Sequence, residues 1–195
     1  MHSIELLPDA ATERAVRRVW RAVADAGLPS LADHGHPTNR PHLTLATADT
    51  LPAATRTVLA QALTALPLPL HLDGLLRFSG RFEVLAWAVR PDDALLALHE
   101  EVWRIVRETP GAGRPHPLLA PGRWVPHITL GRGRGAVWPG PDSRWLPPSA
   151  RASGNGSASA SASGNGSATA SGWWAAARRY DSMSRTTARI GADTA

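Results

Sequence analysis

Arg40-Pro41-His42-Leu43-Thr44-Leu45 and Val125-Pro126-His127-Ile128-Thr129-Leu130 are the two stretches whose reading decides the fold. Both run Pro-His-aliphatic-Thr-Leu, and they stand 85 residues apart. Side chains alternate across a β-strand, so His and Thr two positions apart share one face. Leu43 or Ile128, and the Leu after each Thr, turn to the opposite face and the core. Each copy thus offers an imidazole beside a hydroxyl. With 8 histidines in 195 residues, about 0.6 bare His-x-Thr triplets are expected by chance; requiring Pro before and Leu after lowers this to on the order of 0.006. Two copies therefore favour a functional pair over coincidence.

Outward from the motifs, helical and strand patterns alternate. Asp9 is placed to cap a helix whose apolar positions Val16, Val19, Trp20 and Val23 recur at helical spacing up to Gly27-Leu28-Pro29. A strand is predicted over Pro41 to Thr47. Thr50 is then expected to cap a second helix, with Pro52 in its first turn and Val58, Leu59, Leu63 and Leu66 on one face, stopped by Pro67. Leu70 to Phe78 and Phe82 to Val89 read as strands joined at Ser79-Gly80-Arg81. Asp92 or Asp93 caps a third helix with Leu95, Leu98, Val102, Ile105 and Val106 inward, and a further strand covers Trp124 to Leu130.

After about Arg134 the character changes. Residues 149–172 are almost wholly Ser, Ala, Gly, Asn and Thr, and SGNGSASASA at 153–162 is repeated as SGNGSATASG at 163–172. This is the composition of a flexible linker. Trp173 to Ile190 regains aromatic and β-branched residues, as a returning strand or hairpin would, which places the linker inside the fold. One domain over residues 1–195 is the expected organisation.

Composition narrows the function. The absence of cysteine excludes disulfide frameworks, zinc ribbons, iron–sulfur clusters and thiol nucleophiles. All 21 basic residues are Arg, and against 16 acidic ones they leave a net charge of only +5. Up to residue 135 the surplus is two, too little for the many-phosphate footprint of a duplex-binding protein. A small phosphate or a short RNA end fits better. Met1-His2-Ser3-Ile4-Glu5 shows no secretory pattern, and the longest uncharged apolar stretch, Thr57 to Leu72, is broken by Pro67 and Pro69. A cytoplasmic protein with no membrane partner, working as a monomer, is expected.

The paired motifs suit phosphodiester chemistry. Breaking such a bond requires one proton to leave the nucleophile and another to reach the leaving oxygen, and two imidazoles titrating near neutrality do both without a metal. Thr44 and Thr129 can donate hydrogen bonds to phosphate oxygens, and Arg132, five residues after His127, can neutralise developing charge.

The twin His-x-Thr motifs, at this separation and in this α/β alternation, resemble the two-histidine (2H) phosphoesterase superfamily, specifically its bacterial 2′-5′ RNA ligase and RNA 2′,3′-cyclic phosphodiesterase branch. The likeness covers about residues 1 to 134 and resumes over 177–190. It implies an α+β fold of two similar lobes related by a pseudo-twofold, with antiparallel sheets lining a central cleft and helices outside. It implies His42 and His127 as the general acid and base in an order left open, Thr44, Thr129 and Arg132 as phosphate-binding groups, and no cofactor or metal. The implied partners are RNA ends or small cyclic-phosphate nucleotides. Two departures stand out. Ala46-Thr47-Ala48 replaces a Phe-Leu-Gly-like run after the first motif, which points to a different substrate. The helix expected after the second motif falls in 136–172, where Trp138-Pro139-Gly140-Pro141, Pro147-Pro148 and the Ser/Ala/Gly tract are poor helix formers. Trp173 and Trp174 are the residues expected to cover what that helix would have covered.

Two alternatives remain open on the residues alone. A noncatalytic binder of RNA ends or nucleotides would use the same groups, with Phe78, Phe82, Trp124 and Tyr180 as candidates to stack on bases. A metal-dependent hydrolase would use His34 and His36 beside Asp33, although Gly35, Pro37 and Asn39 describe a loop. His71, His99 and His116 read as ordinary surface or partly buried residues.

Overall fold

The computed structural model describes residues 2–36, 39–140, 143–148, 161–162 and 184–192. In chain order the elements are β1 (His2–Pro8), α1 (Ala10–Asp25), β2 (Leu43–Ala48), α2 (Ala53–Ala62), β3 (Pro69–Phe78), β4 (Glu83–Arg90), α3 (Asp93–Glu108), β5 (His127–Gly133), β6 (Ser161–Ala162) and β7 (Ser184–Ala192). Six strands form one path in the order β2-β1-β7-β3-β4-β5, and β6 pairs with β3 off that path. Every pairing along the path is antiparallel. Among the described residues the fold is therefore mixed α and β, with an antiparallel strand path and three α-helices.

The caps at Asp9 and Asp92 act as their positions dictate. The Asp9 carboxylate accepts from the Thr12 amide at 2.8 Å, and that of Asp92 from the Leu95 amide at 2.9 Å. Each satisfies an amide that the first helical turn leaves without a carbonyl. Helix α1 buries Ala15, Val16, Val19, Trp20 and Val23, and α3 buries Leu95, Leu98, Val102, Ile105 and Val106. Helix α2 departs from expectation. Thr50 lies too far upstream to cap it: its hydroxyl donates to the Gly111 carbonyl at 2.9 Å, and Pro52 precedes the helix without a side-chain cap. The buried α2 residues are Thr55 and Leu59, one turn apart, whereas Val58 is 41% exposed. The helix ends at Ala62, so Leu63 and Leu66 leave its period and pack on the core from a 3-10 turn and the segment behind it.

The strands reach further than the local pattern shows. β1, unmarked in the sequence reading, is an almost wholly buried strand with β2 on one side and β7 on the other. β7 realises the returning strand and runs the full length of β1, from His2↔Ala192 to Pro8↔Thr186. With β3 it shares only Pro69↔Arg185 and Leu70↔Ser184. The sheet path thus has two halves, β2-β1-β7 and β3-β4-β5, with one motif strand at the outer end of each. These two outermost strands nevertheless meet. The helices cross over: α1, from the first half of the chain, packs on β5, and α3, from the second, packs on β2 and α2.

Beyond β5, indoles occupy core positions where a helix was expected. Trp138, Trp145 and Leu146 are buried with the main core, and the 3-10 turn Ser143–Trp145 lies against α1. The Trp87 indole donates to the Trp145 carbonyl at 2.5 Å, and Arg77 donates to the carbonyls of Trp138 and Pro139. Within the low-complexity tract, Ser161–Ala162 pair in parallel with Arg77 and Phe78. The rest of 149–172, with Trp173, Trp174 and Tyr180, lies outside the described residues. Among the described residues no helix is long and apolar enough to cross a membrane.

Candidate functional site

Both motifs carry the same device. Along β5, His127 faces Ala88, Ile128 faces Trp87 and Thr129 faces Ala86; the register then slips, so that Gly131 faces Leu85 and Arg132 faces Val84. Along β2, Leu43 faces Leu6 and Thr44 faces Glu5, and after a slip Ala46 faces Ile4 and Thr47 faces Ser3. In each strand the surplus residue is the Leu that follows Thr, Leu45 or Leu130, and both are fully buried. A one-residue bulge exchanges the faces of everything beyond it. Arg132 accordingly emerges on the face of His127 and Thr129, and Thr47 on the face of Thr44. Burial follows suit: His42, Thr44 and Thr47 are partly exposed between buried neighbours, as are His127 and Thr129, and Arg132 is exposed.

The two imidazoles are held alike. His42 Nδ1 lies 2.7 Å from the Arg40 carbonyl, and His127 Nδ1 lies 2.8 Å from the Val125 carbonyl. A carbonyl only accepts, so Nδ1 carries the hydrogen in both rings, and in the neutral form the lone pair resides on Nε2. Two indoles from elsewhere in the chain fix the motif backbones. Trp20 of α1 donates to the Thr129 carbonyl at 3.0 Å, and Trp124 donates to the Thr44 carbonyl at 2.9 Å. Trp124 itself stacks on the buried ring of His99, with centroids 3.9 Å apart, and His99 Nε2 bonds the Leu119 carbonyl. Trp124 and His99 are thus supports for the first motif. The approach to His42 is tied down by Arg40, which bonds Glu13 at 2.8 Å. That Arg40 contact, reinforced by Arg17, holds the Glu13 carboxyl below the usual carboxylate range.

The halves differ electrostatically. Burial, with an added push from His42, holds His127 below the ordinary imidazole range against the opposing pull of the Val125 carbonyl. This disfavours its cation. Beside His42 lies a group the sequence reading missed: Glu5, buried in β1, with Oε1 3.9 Å from His42 Nε2 and accepting from the Ser3 hydroxyl at 2.8 Å. One signal for it was present, a carboxylate inside the apolar run Ile4-Glu5-Leu6-Leu7. On the other side, the Phe78 ring tilts against His127 with centroids 4.7 Å apart, and the Arg132 guanidinium lies 4.0 Å from the Phe82 centroid.

The remaining candidates lie apart from this arrangement. His34 is exposed on a loop, its ring 6.3 Å from that of His36, and among the described residues no group of three or more His, Asp and Glu could hold a metal ion.

A protein-family model described as the 2′-5′ RNA ligase superfamily matches residues 7–141. The match spans both motifs and most of the chain, and the protein belongs to that superfamily. It is accordingly a hydrolase of the two-histidine phosphoesterase type. No curated protein and no solved structure matched the chain.

Proposed function

We propose that the protein is a metal-independent phosphodiesterase acting on 2′,3′-cyclic phosphate or 2′-5′ linkages of RNA or nucleotides. The observation that carries this reading is the matched pair of Nδ1-to-carbonyl bonds, which commit both imidazoles to proton transfer through Nε2. In this proposal the two sheet halves are the lobes of a bilobal, pseudo-twofold fold, and His42 and His127 face each other across the cleft between them.

The asymmetry between the rings suggests their roles. His127, biased toward the neutral form, acts as the base: its Nε2 takes a proton as a water oxygen attacks phosphorus. His42, with the Glu5 carboxylate as a counter-charge, is the acid and delivers a proton to the departing ribose oxygen. For a 2′,3′-cyclic phosphate, a bond forms from water oxygen to phosphorus while the bond from phosphorus to O3′ breaks. The product is a 2′-phosphate with a free 3′-hydroxyl, and no net proton is consumed at the imidazoles. Thr44 and Thr129 donate to the nonbridging oxygens, and Arg132, brought to the same face by the bulge, offsets the charge that builds there.

The test is turnover of 2′,3′-cyclic nucleotides and of a short RNA ending in cyclic phosphate, with EDTA present, by the parent and by His42→Ala and His127→Ala. Turnover that survives EDTA and is lost in both variants is the expected result. A folded parent that binds the cyclic phosphate without converting it would make the protein a binder of RNA ends. Activity lost to EDTA would return attention to His34 and His36.

A further inference from the structure

The two motifs are joined by an unbroken run of contacts through α1. His42 Nδ1 donates to the Arg40 carbonyl, and the Arg40 guanidinium bonds Glu13 Oε2 at 2.8 Å. Glu13 Oε1 accepts from Arg17 Nε at 3.0 Å. The Arg17 guanidinium carbon lies 5.5 Å from the centroid of the Trp20 ring, within cation–π range. Trp20 completes the run by donating to the Thr129 carbonyl. Glu13, Arg17 and Trp20 follow one another at helical spacing, four and three residues apart, so they form one stripe along α1. The stripe is thereby anchored to the first motif by an arginine and to the second by an indole.

At its first-motif end the stripe grips a stiff piece of chain. Arg17 also reaches the Asn39 carbonyl at 3.4 Å, and the Asn39 side-chain amide donates to the carbonyls of Leu31 and His34. Pro41 fixes its own φ and confines Arg40 to extended backbone. With Asn39 and Arg40 held, His42 has little freedom to shift, and its ring is latched to the carbonyl that Arg40 carries. The approach to the second motif is held differently: the Val89 amide donates to the Pro126 carbonyl at 3.0 Å. There the backbone of the sheet supplies the hold, whereas at the first motif the side chains of α1 supply it. Glu13 is the junction, since it bonds Arg17 through one carboxylate oxygen and Arg40 through the other.

We propose that Glu13 is a positioning residue for the reaction: acting through Arg40 and Arg17, it sets where His42 stands relative to the second motif. This rests on the proposed function. A misplaced acid or base costs turnover more than it costs binding, because alignment counts in the transition state. Glu13→Gln, whose single amide oxygen cannot serve both arginines, should lower kcat about tenfold and leave KM within about twofold of the parent. Arg40→Gln should do the same, and the double variant should lose no more than either single one. A role through charge would make the two substitutions act in opposite directions, since one removes a negative charge and the other a positive one. Glu101→Gln, which breaks an exposed pair of the same kind with Arg104 on α3, should leave kcat unchanged. An unchanged kcat in Glu13→Gln, a rise in KM that matches the fall in kcat, opposite effects of the two substitutions, or an equal loss in Glu101→Gln each overturns the proposal.

A measurement that needs no turnover separates this inference from the catalytic one. Exchange of the His42 Nδ1 hydrogen with water, followed by 15N-edited NMR of the imidazole, should quicken by roughly fivefold or more in Glu13→Gln, while that of His127 stays as in the parent. If the parent converts no cyclic phosphate yet this contrast holds, the catalytic reading falls and the positioning of His42 by Glu13 stands. Equal exchange at His42 in parent and variant overturns it.

Discussion

At the scale of single residues, the two imidazoles differ in what surrounds them, and the difference sets a pH signature. His127→Asn and His42→Asn should each lower turnover by about 10²- to 10⁴-fold, the range for a lost general acid or base, with the far-UV circular dichroism unchanged. Because His127 is held below the ordinary imidazole range, the rising limb of kcat/KM against pH should lie below about 6.5, the reference midpoint. A rising limb above that value would overturn its role as base. His99 gives a separate stability effect. Burial lowers its native titration, so the unfolded chain binds the extra proton first, and stability falls as pH drops from about 6.5 toward the native value. Thermal melts between pH 7.5 and 5 should show this loss, and His99→Gln, which keeps a donor toward the Leu119 carbonyl, should make it smaller. The motif residues were legible in the sequence because alternation along a strand is local. The link from Glu5 to His42 was not, since it is made by the pairing of β1 with β2, which no local pattern encodes.

At the scale of elements, the bulges and the indole ties are what aim the side chains. A Cβ on Gly131, between Thr129 and Arg132, would collide with the Pro29 carbonyl oxygen and come within 2.7 Å of the Trp138 ring. Gly131→Ala should therefore destabilise by about 2 kcal/mol through overpacking, read as a drop of roughly 4 to 8 °C in Tm. Trp124→Phe and Trp20→Phe each remove one hydrogen bond to a motif carbonyl and should cost about 1 to 2 kcal/mol in denaturant unfolding. Turnover should fall further than stability predicts at saturating denaturant-free conditions, because each tie also sets the position of a motif. Asp9 and Asp92 were readable as caps because each immediately precedes an apolar helical period. Thr50 misled for a related reason: it has the right chemistry but stands too far from the first turn, and the chain used it to hold Gly111 instead. The register slips after Thr44 and Thr129 left no mark in the sequence, since Leu45 and Leu130 are apolar and buried, as a regular strand residue would be on the core face.

At the scale of the whole molecule, the halves are interlocked twice, by helices that pack on each other's motif strand and by β7, which lies between β1 and β3. That the chain alternates helix and strand was readable from its periods. That its last described strand lies in the middle of the sheet path was not, because strand order is decided by contacts far apart in sequence. Ending the chain before Ser184 should remove one of the two neighbours of β1 along its whole length and the pairing of β3 at Pro69 and Leu70, opening an edge of β1 opposite β2 and giving a protein that aggregates on sedimentation and loses amide protection along β1. The position of β7 also imposes a timetable. During synthesis both motif strands leave the ribosome well before the strand that joins their halves, so each half waits with an unpaired edge until residues 184–192 emerge. The same geometry makes the strand separable: a peptide spanning 184–192, added to the shortened chain, has a ready slot whose occupancy would report when the two halves become joined.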